Sequence, residues 1–242
     1  GSEVSESAIA AKPGAQAKLI FRSPEMTAQV ALLDPALTLS APAHVTAQSG
    51  YDAVTHAVEA YVSKAASIMT DPFALSAMGL LARWLPVATR EPADRAARSW
   101  CLIASTQAAV AFNSANLGLA HAIAAPLGAL HKIAHGLGNA LALPAVAVYN
   151  QPALGAKAEL VAQAFGAPTP AEGLARLRHA IGLDHGLDRY VATDEAREQV
   201  AQAAMLSGQV RMNPRLATID HMRALIEAMR RPSGPTAPRL RA

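Results

Sequence analysis

The chain has 242 residues, of which 52% are hydrophobic, 16% charged and 4% aromatic, with a net charge of +3 and a single cysteine. Such a chain carries enough apolar material for one sizeable core or two modest ones, and an intramolecular disulfide is excluded. Its basic residues are scattered, densest between Arg90 and Arg98 and in the tail MRRPSGPTAPRLRA, and form no stripe interleaved with aromatics, so they read as solvated faces and no nucleic-acid partner is expected.

With alanine abundant and aromatics scarce, the composition favours closely packed helices over a β-sandwich, and a mainly α fold is expected. The first forty residues differ from the rest. SESAIAA and QAKLIF flank a KPGA turn signal and predict a β-hairpin, and AQVALLDP, stopped by Asp34-Pro35, predicts one further strand. Three such strands without covering helices are expected to belong to a larger sheet. From about residue 45 helical patterns take over. Thr70-Asp71-Pro72 offers a cap and an early proline ahead of FALSAMGLLARWL, and predicts a helix start. Thr169 with Glu172 three residues later has the capping-box pattern, followed by Leu174, Leu177 and Ile181 on one stripe; Thr193 and Thr218 are comparable cap candidates. Eight or nine helices are expected, with breaks near Pro126, Pro144, Gly166 and Pro214 and a disordered tail over 232–242. Cys101, in SWCLIAS, reads as a packed thiol. No apolar run reaches the length of about 18 residues that crosses a bilayer, and no signal peptide is seen, so a cytoplasmic protein without membrane contact is expected.

The chemistry concentrates in two segments. In GYDAVTHAVEAY, Asp52 and His56 are four positions apart and share a helix face, where a carboxyl group and an imidazole can grip one divalent cation or simply pair with each other. In HAIAAPLGALHKIAH, His121 and His135 lie fourteen residues apart in an apolar setting, and a buried imidazole must find a hydrogen bond or a metal. Together the four offer one oxygen and three nitrogen donors, a set suited to Fe²⁺ or Zn²⁺ and typical of catalytic rather than structural sites, which favour cysteine. A metal-dependent hydrolase with adjacent His-Asp ligands is disfavoured, because Asp184-His185 and Asp220-His221 run in the reverse order.

TAQSGYDAVTHAVEAYVS, TDPFALSAM and NLGLAHAIAAPLGALHKIAHGLGNALALP resemble the C-terminal helical domain of the iron-containing (group III) alcohol dehydrogenases, relatives of glycerol dehydrogenase and maleylacetate reductase. The likeness is distinctive to about residue 150 and looser to about 230; the opening GSEV resembles the end of that family's TTxGTGSEV cofactor loop. The resemblance implies a helical bundle of the iron-alcohol-dehydrogenase and dehydroquinate-synthase-like architecture over 41–242. Residues 1–40 would then be the last part of an α/β dinucleotide-binding domain. It places the metal ligands on Asp52, His56, His121 and His135, and puts Ser2 and Lys18 near an NAD or NADP nicotinamide. His135, through the metal, and His131, beside the ligands or on the substrate side, are the candidate catalytic side chains. His44, His179, His185 and His221 fall outside the matched motifs and are expected at the surface.

By the same resemblance the metal acts as a Lewis acid on the oxygen of a small alcohol or aldehyde while hydride passes to or from the nicotinamide, and the full-length form is expected to be a homo-oligomer. Maleylacetate reductase-like and glycerol dehydrogenase-like activities lie within this expectation; the alternative is an inactive helical metal-binding or oligomerisation fragment. Two departures stand out. Ala125 occupies the place, one turn after His121, where the family usually has a second histidine thought to help proton transfer. No Gly-Gly pair occurs, so the family's GGGS phosphate loop is missing and the chain is expected to hold a dinucleotide poorly on its own.

Overall fold

A computed structural model describes residues 1–11, 18–232, 234–236 and 240. Strands β1 (Ser7–Ala11) and β2 (Lys18–Arg22) pair antiparallel, with Ser7 opposite Arg22 and Ala11 opposite Lys18. The hairpin is therefore as expected, although its KPGA turn lies outside the described residues. The further strand at AQVALLDP does not form: residues 27–34 run without a strand partner, with Val30 and Leu32 exposed, into a 3-10 turn at Pro35–Thr38 capped by Asp34 on the Ala36 amide. Apolar alternation supplies a face for a strand, but an extended segment needs a neighbouring edge to pair with.

Nine α-helices follow among the described residues: α1 (Ala43–Val62), α2 (Asp71–Arg90), α3 (Arg95–Ala115), α4 (Leu119–His131), α5 (His135–Asn150), α6 (Ala156–Ala164), α7 (Pro170–Ala180), α8 (Asp194–Met205) and α9 (Ile219–Ala228). Thr169, Thr193 and Thr218 cap α7, α8 and α9 through their hydroxyls, whereas the Thr70 hydroxyl turns back to the Ser67 amide and leaves α2 without a side-chain cap. Thr169 forms only half of the predicted box, and at Thr218 the reciprocal partner is His221. No single described helix is long and apolar enough to cross a membrane.

Helix α1 runs through the middle of the bundle, packed against α2, α3 and α5. Its apolar side is built of Tyr51, Val54 and Val58 with small residues between them, and buried alanines such as Ala57, Ala77, Ala104 and Ala108 let the axes approach closely. The expected breaks at Pro126 and Pro144 are wrong, since α4 runs through the first and α5 through the second. A proline costs its helix one hydrogen bond and frees the carbonyl four residues earlier. For Pro144 that carbonyl belongs to Ala140, and Arg178 of α7 donates to it at 3.3 Å. Tertiary structure thus replaces the missing amide. Gly166 and Pro214 do fall between helices.

Three basic residues, Arg98, Arg178 and Arg197, depart from expectation by being buried. Arg98 is buried rather than solvated, donating to the Thr46 hydroxyl at 2.7 Å and to the Pro92 and Ala41 carbonyls, which ties the start of α1 to α3. Arg90 and Arg95 are exposed as expected. Cys101 packs against the core, and burial pushes its thiol up to about 12, which keeps it inert. His44 and His179 are exposed, while His185 and His221 are half-buried.

The approach of α5 to α1 is set by Gly136, where a Cβ would stand 2.0 Å from the Gln48 carbonyl oxygen. Overpacking against backbone has no flexible side chain to absorb it. Gly136→Ala is therefore expected to lower stability by about 3 kcal/mol, measured by urea denaturation, and to weaken metal binding, because the displaced residue adjoins His135.

Candidate metal centre

Three helices deliver the four sequence-predicted ligands to one place. On α1, Asp52 and His56 share a face, with Asp52 Oδ2 3.9 Å from His56 Nε2. The chain bends by 104° between α3 and α4, at Asn116 with its positive φ of 62° and Gly118, and this turn brings His121 in from α4. Helix α4 ends at Lys132 in the left-handed conformation, and after a three-residue link α5 begins on His135 itself. His121 Nε2 and His135 Nε2 lie 3.6 and 3.7 Å from Asp52 Oδ1.

Donor atoms of Asp52, His56 and His121 all fall within 4.8 Å of one another, the spread expected of groups that can share one ion. The rings of His56 and His121 stack at 4.8 Å, and Phe112 lies against His56 at 4.7 Å, an apolar wall on one side. His121 is 4% exposed, His56 18% and Asp52 22%, whereas His135 is 37% exposed and marks the open side.

Two residues escaped sequence reasoning. Glu59 is buried, and its carboxyl group accepts from the Gly118 and Ala120 amides at 2.9 and 2.6 Å and from His121 Nδ1 at 2.7 Å. It therefore caps α4 and fixes His121 with its Nδ1 as donor, so that Nε2 faces Asp52 and is the nitrogen available to a metal. The signal was in the sequence: Asp52, His56 and Glu59 follow a 0, 4, 7 spacing on one helix face. Asn139, one turn beyond His135, is fully buried and donates from Nδ2 to Asp52 Oδ1 at 2.6 Å.

The remaining candidates sit apart. His131 ends α4, and its Nε2 is buried without a hydrogen-bond partner; no described contact joins it to the four ligands. Ser2 is exposed in a 3-10 turn, and Lys18 opens β2 with its side chain outside the described residues. Ala125 is exposed on α4, one turn past His121. Asp184 is engaged by Arg178 and His179, and Asp220 by Arg223.

Charge in the cluster is strongly coupled. Burial works against the Asp52 carboxylate, but His56, His121 and His135 outweigh it and hold its pKa well below the usual range. Burial drives His56 down to about 3 despite the pull of Asp52. In His121 burial acts in the same direction but is overcome by the nearby Asp52 carboxylate and the hydrogen-bonded Glu59, which raise it to about 9. The stability consequences have opposite signs. Where His56 stays neutral in the fold but an unfolded histidine of pKa about 6.5 takes a proton, stability falls as pH drops from about 6.5 toward 3. The His121 contribution is complete below about 6.5 and is lost as pH rises through 9. In the presence of a chelator, the urea midpoint is expected to peak near pH 6.5 and to decline toward pH 9; excess Zn²⁺, which takes the deprotonated Nε2, is expected to flatten the alkaline limb. A midpoint that does not fall between pH 7 and 9 in chelator would contradict the His121 assignment.

The sequence and the fold both have known relatives. The profile described as Fe-containing alcohol dehydrogenase family, C-terminal, matches residues 46–230. The NAD-dependent methanol dehydrogenase of Bacillus methanolicus is 32% identical over 238 residues, covering 94% of this chain and 62% of the relative. The 1,3-propanediol dehydrogenase of Citrobacter freundii is 36% identical over 225 residues, covering 88% and 58%. Among solved structures, the alcohol dehydrogenase from Oenococcus oeni superposes with a TM-score of 0.90 at 29% identity, covering 95% of this chain and 63% of the other. The chain spans about three fifths of the length of these two curated relatives. It belongs to the Fe-containing alcohol dehydrogenase family, of which it carries the C-terminal helical domain.

Proposed function

We propose that this chain provides the metal-binding, substrate-activating part of an NAD(P)-linked dehydrogenase acting on a small alcohol, aldehyde or ketone. The observation that carries the reading is the meeting of one carboxyl group and three imidazoles from α1, α4 and α5 around a common point, with Asp52 3.6 to 3.9 Å from each histidine. This donor set fits Fe²⁺ or Zn²⁺, and the absence of thiolates from it suits an ion that keeps a place for substrate. Bound there, the ion supplies Lewis acidity toward the substrate oxygen.

The chain's own residues do the rest. Asp52 contributes the negative charge, and Glu59 holds His121 in the tautomer that presents Nε2. Phe112 and the buried flank of α4 exclude water from one side, while the partly exposed His135 borders the side open to substrate. His131, with its unpartnered Nε2, is assigned to the substrate side. Ser2 and Lys18 are assigned to the nicotinamide nucleotide, residues 1–40 to the nucleotide-binding part and 41–242 to the metal-binding part. The name of the Bacillus methanolicus relative supports NAD as the hydride carrier.

Anaerobic reconstitution with Fe²⁺ or Zn²⁺ followed by metal analysis tests the centre. The expected result is about one equivalent per chain, with His56→Ala losing most of it. No bound metal in the wild-type chain would favour the reading as an inactive helical fragment.

A further inference from the structure

Asn139 is an amide in a place where an apolar side chain would pack at lower cost. It is fully buried, and its Oδ1 has no hydrogen-bond partner, which is a cost for a buried acceptor. All of its polar contacts are made by Nδ2, which lies 2.6 Å from Asp52 Oδ1, 3.2 Å from His121 Nε2 and 3.4 Å from His135 Nε2. Only the first of these is a short, well-formed bond. It grips one oxygen of the carboxyl group and leaves the other, Oδ2, on the side of His56.

From this geometry we infer that Asn139 is the positioning residue of the metal centre: it fixes the rotation of the Asp52 carboxyl group so that Asp52 serves as a one-oxygen ligand. The inference rests on the metal-centre reading above and adds a reason for the buried amide. A carboxylate freed of this bond can turn both oxygens to a cation, which raises the coordination number and takes up the position that substrate would use. Because Asn139 stands four residues after His135 on α5, one rigid turn of helix carries both a ligand and the group that aims another ligand.

The test uses the full 242-residue chain with Zn²⁺ and Co²⁺ as probes. Zn²⁺ affinity, measured by competition with a chromogenic chelator, is expected to fall by about 10- to 100-fold in Asn139→Ala. The Co²⁺ d–d bands of the loaded variant are expected to weaken and shift, as the carboxylate binds through two oxygens. Urea denaturation in chelator separates a role in packing: if the variant loses metal-free stability and affinity together while the Co²⁺ spectrum of the bound fraction stays as in wild type, Asn139 is only a core residue and the inference is overturned. Unchanged or tighter Zn²⁺ binding overturns it as well. Should the wild-type chain take up neither ion, the metal centre itself fails and this assignment falls with it; wild-type binding with an unaffected variant removes Asn139 alone. Asn139→Leu, which fills the site with an apolar side chain of similar size, is expected to repeat the affinity loss without the packing defect of alanine.

Discussion

Four donor side chains on three helices can meet only if the helix backbones nearly touch, and this closeness is the constraint on which the rest of the structure depends. It is met by removing side chains. Gly136 lets α5 lie against the Gln48 carbonyl, one turn before Asp52, and Gly50 leaves room for Leu85 on the other flank of α1. Buried alanines extend the same close packing along α2 and α3. The high alanine content is therefore more than a helix preference. It sets interaxial distances short enough for imidazoles from separate helices to reach one carboxyl group.

Burying that cluster is costly unless each polar group is answered, and the answers couple packing to chemistry. Glu59 caps the first turn of α4 and orients His121 with the same carboxyl group. Local helix formation and ligand geometry thus share one side chain. Gly118, where a Cβ would come within 3.0 Å of Glu59 Oε1 and of Asn213 Oδ1, keeps the chain close enough for this double use. Asn150 and Asn213 exchange side-chain hydrogen bonds nearby, so these two buried amides satisfy one another instead of reaching water.

What the sequence disclosed followed the rules of regular helices. Asp52 and His56 were visible because four residues make one turn, and His121 and His135 because imidazoles are conspicuous among alanines and leucines. Glu59 was hidden by its type, since a glutamate in a helix usually faces solvent, even though its spacing from Asp52 and His56 put it on the inner face. Asn139 carried no chemical flag at all. The errors came from elements whose fate depends on distant residues: Pro144 is tolerated because of Arg178, and AQVALLDP joins no strand edge among the described residues. Neither circumstance can be seen in a local window.

The Pro144 arrangement reaches beyond folding. Arg178 donates to the carbonyl that the proline orphans and is held in turn by Asp184 at 2.9 Å. A defect in the helix that begins at His135 is thus made good by a residue of another helix, itself steadied by the loop that follows. Removing the Arg178 side chain would leave the Ala140 carbonyl buried and unanswered inside α5. A change in α7 is therefore felt inside the helix that begins at His135.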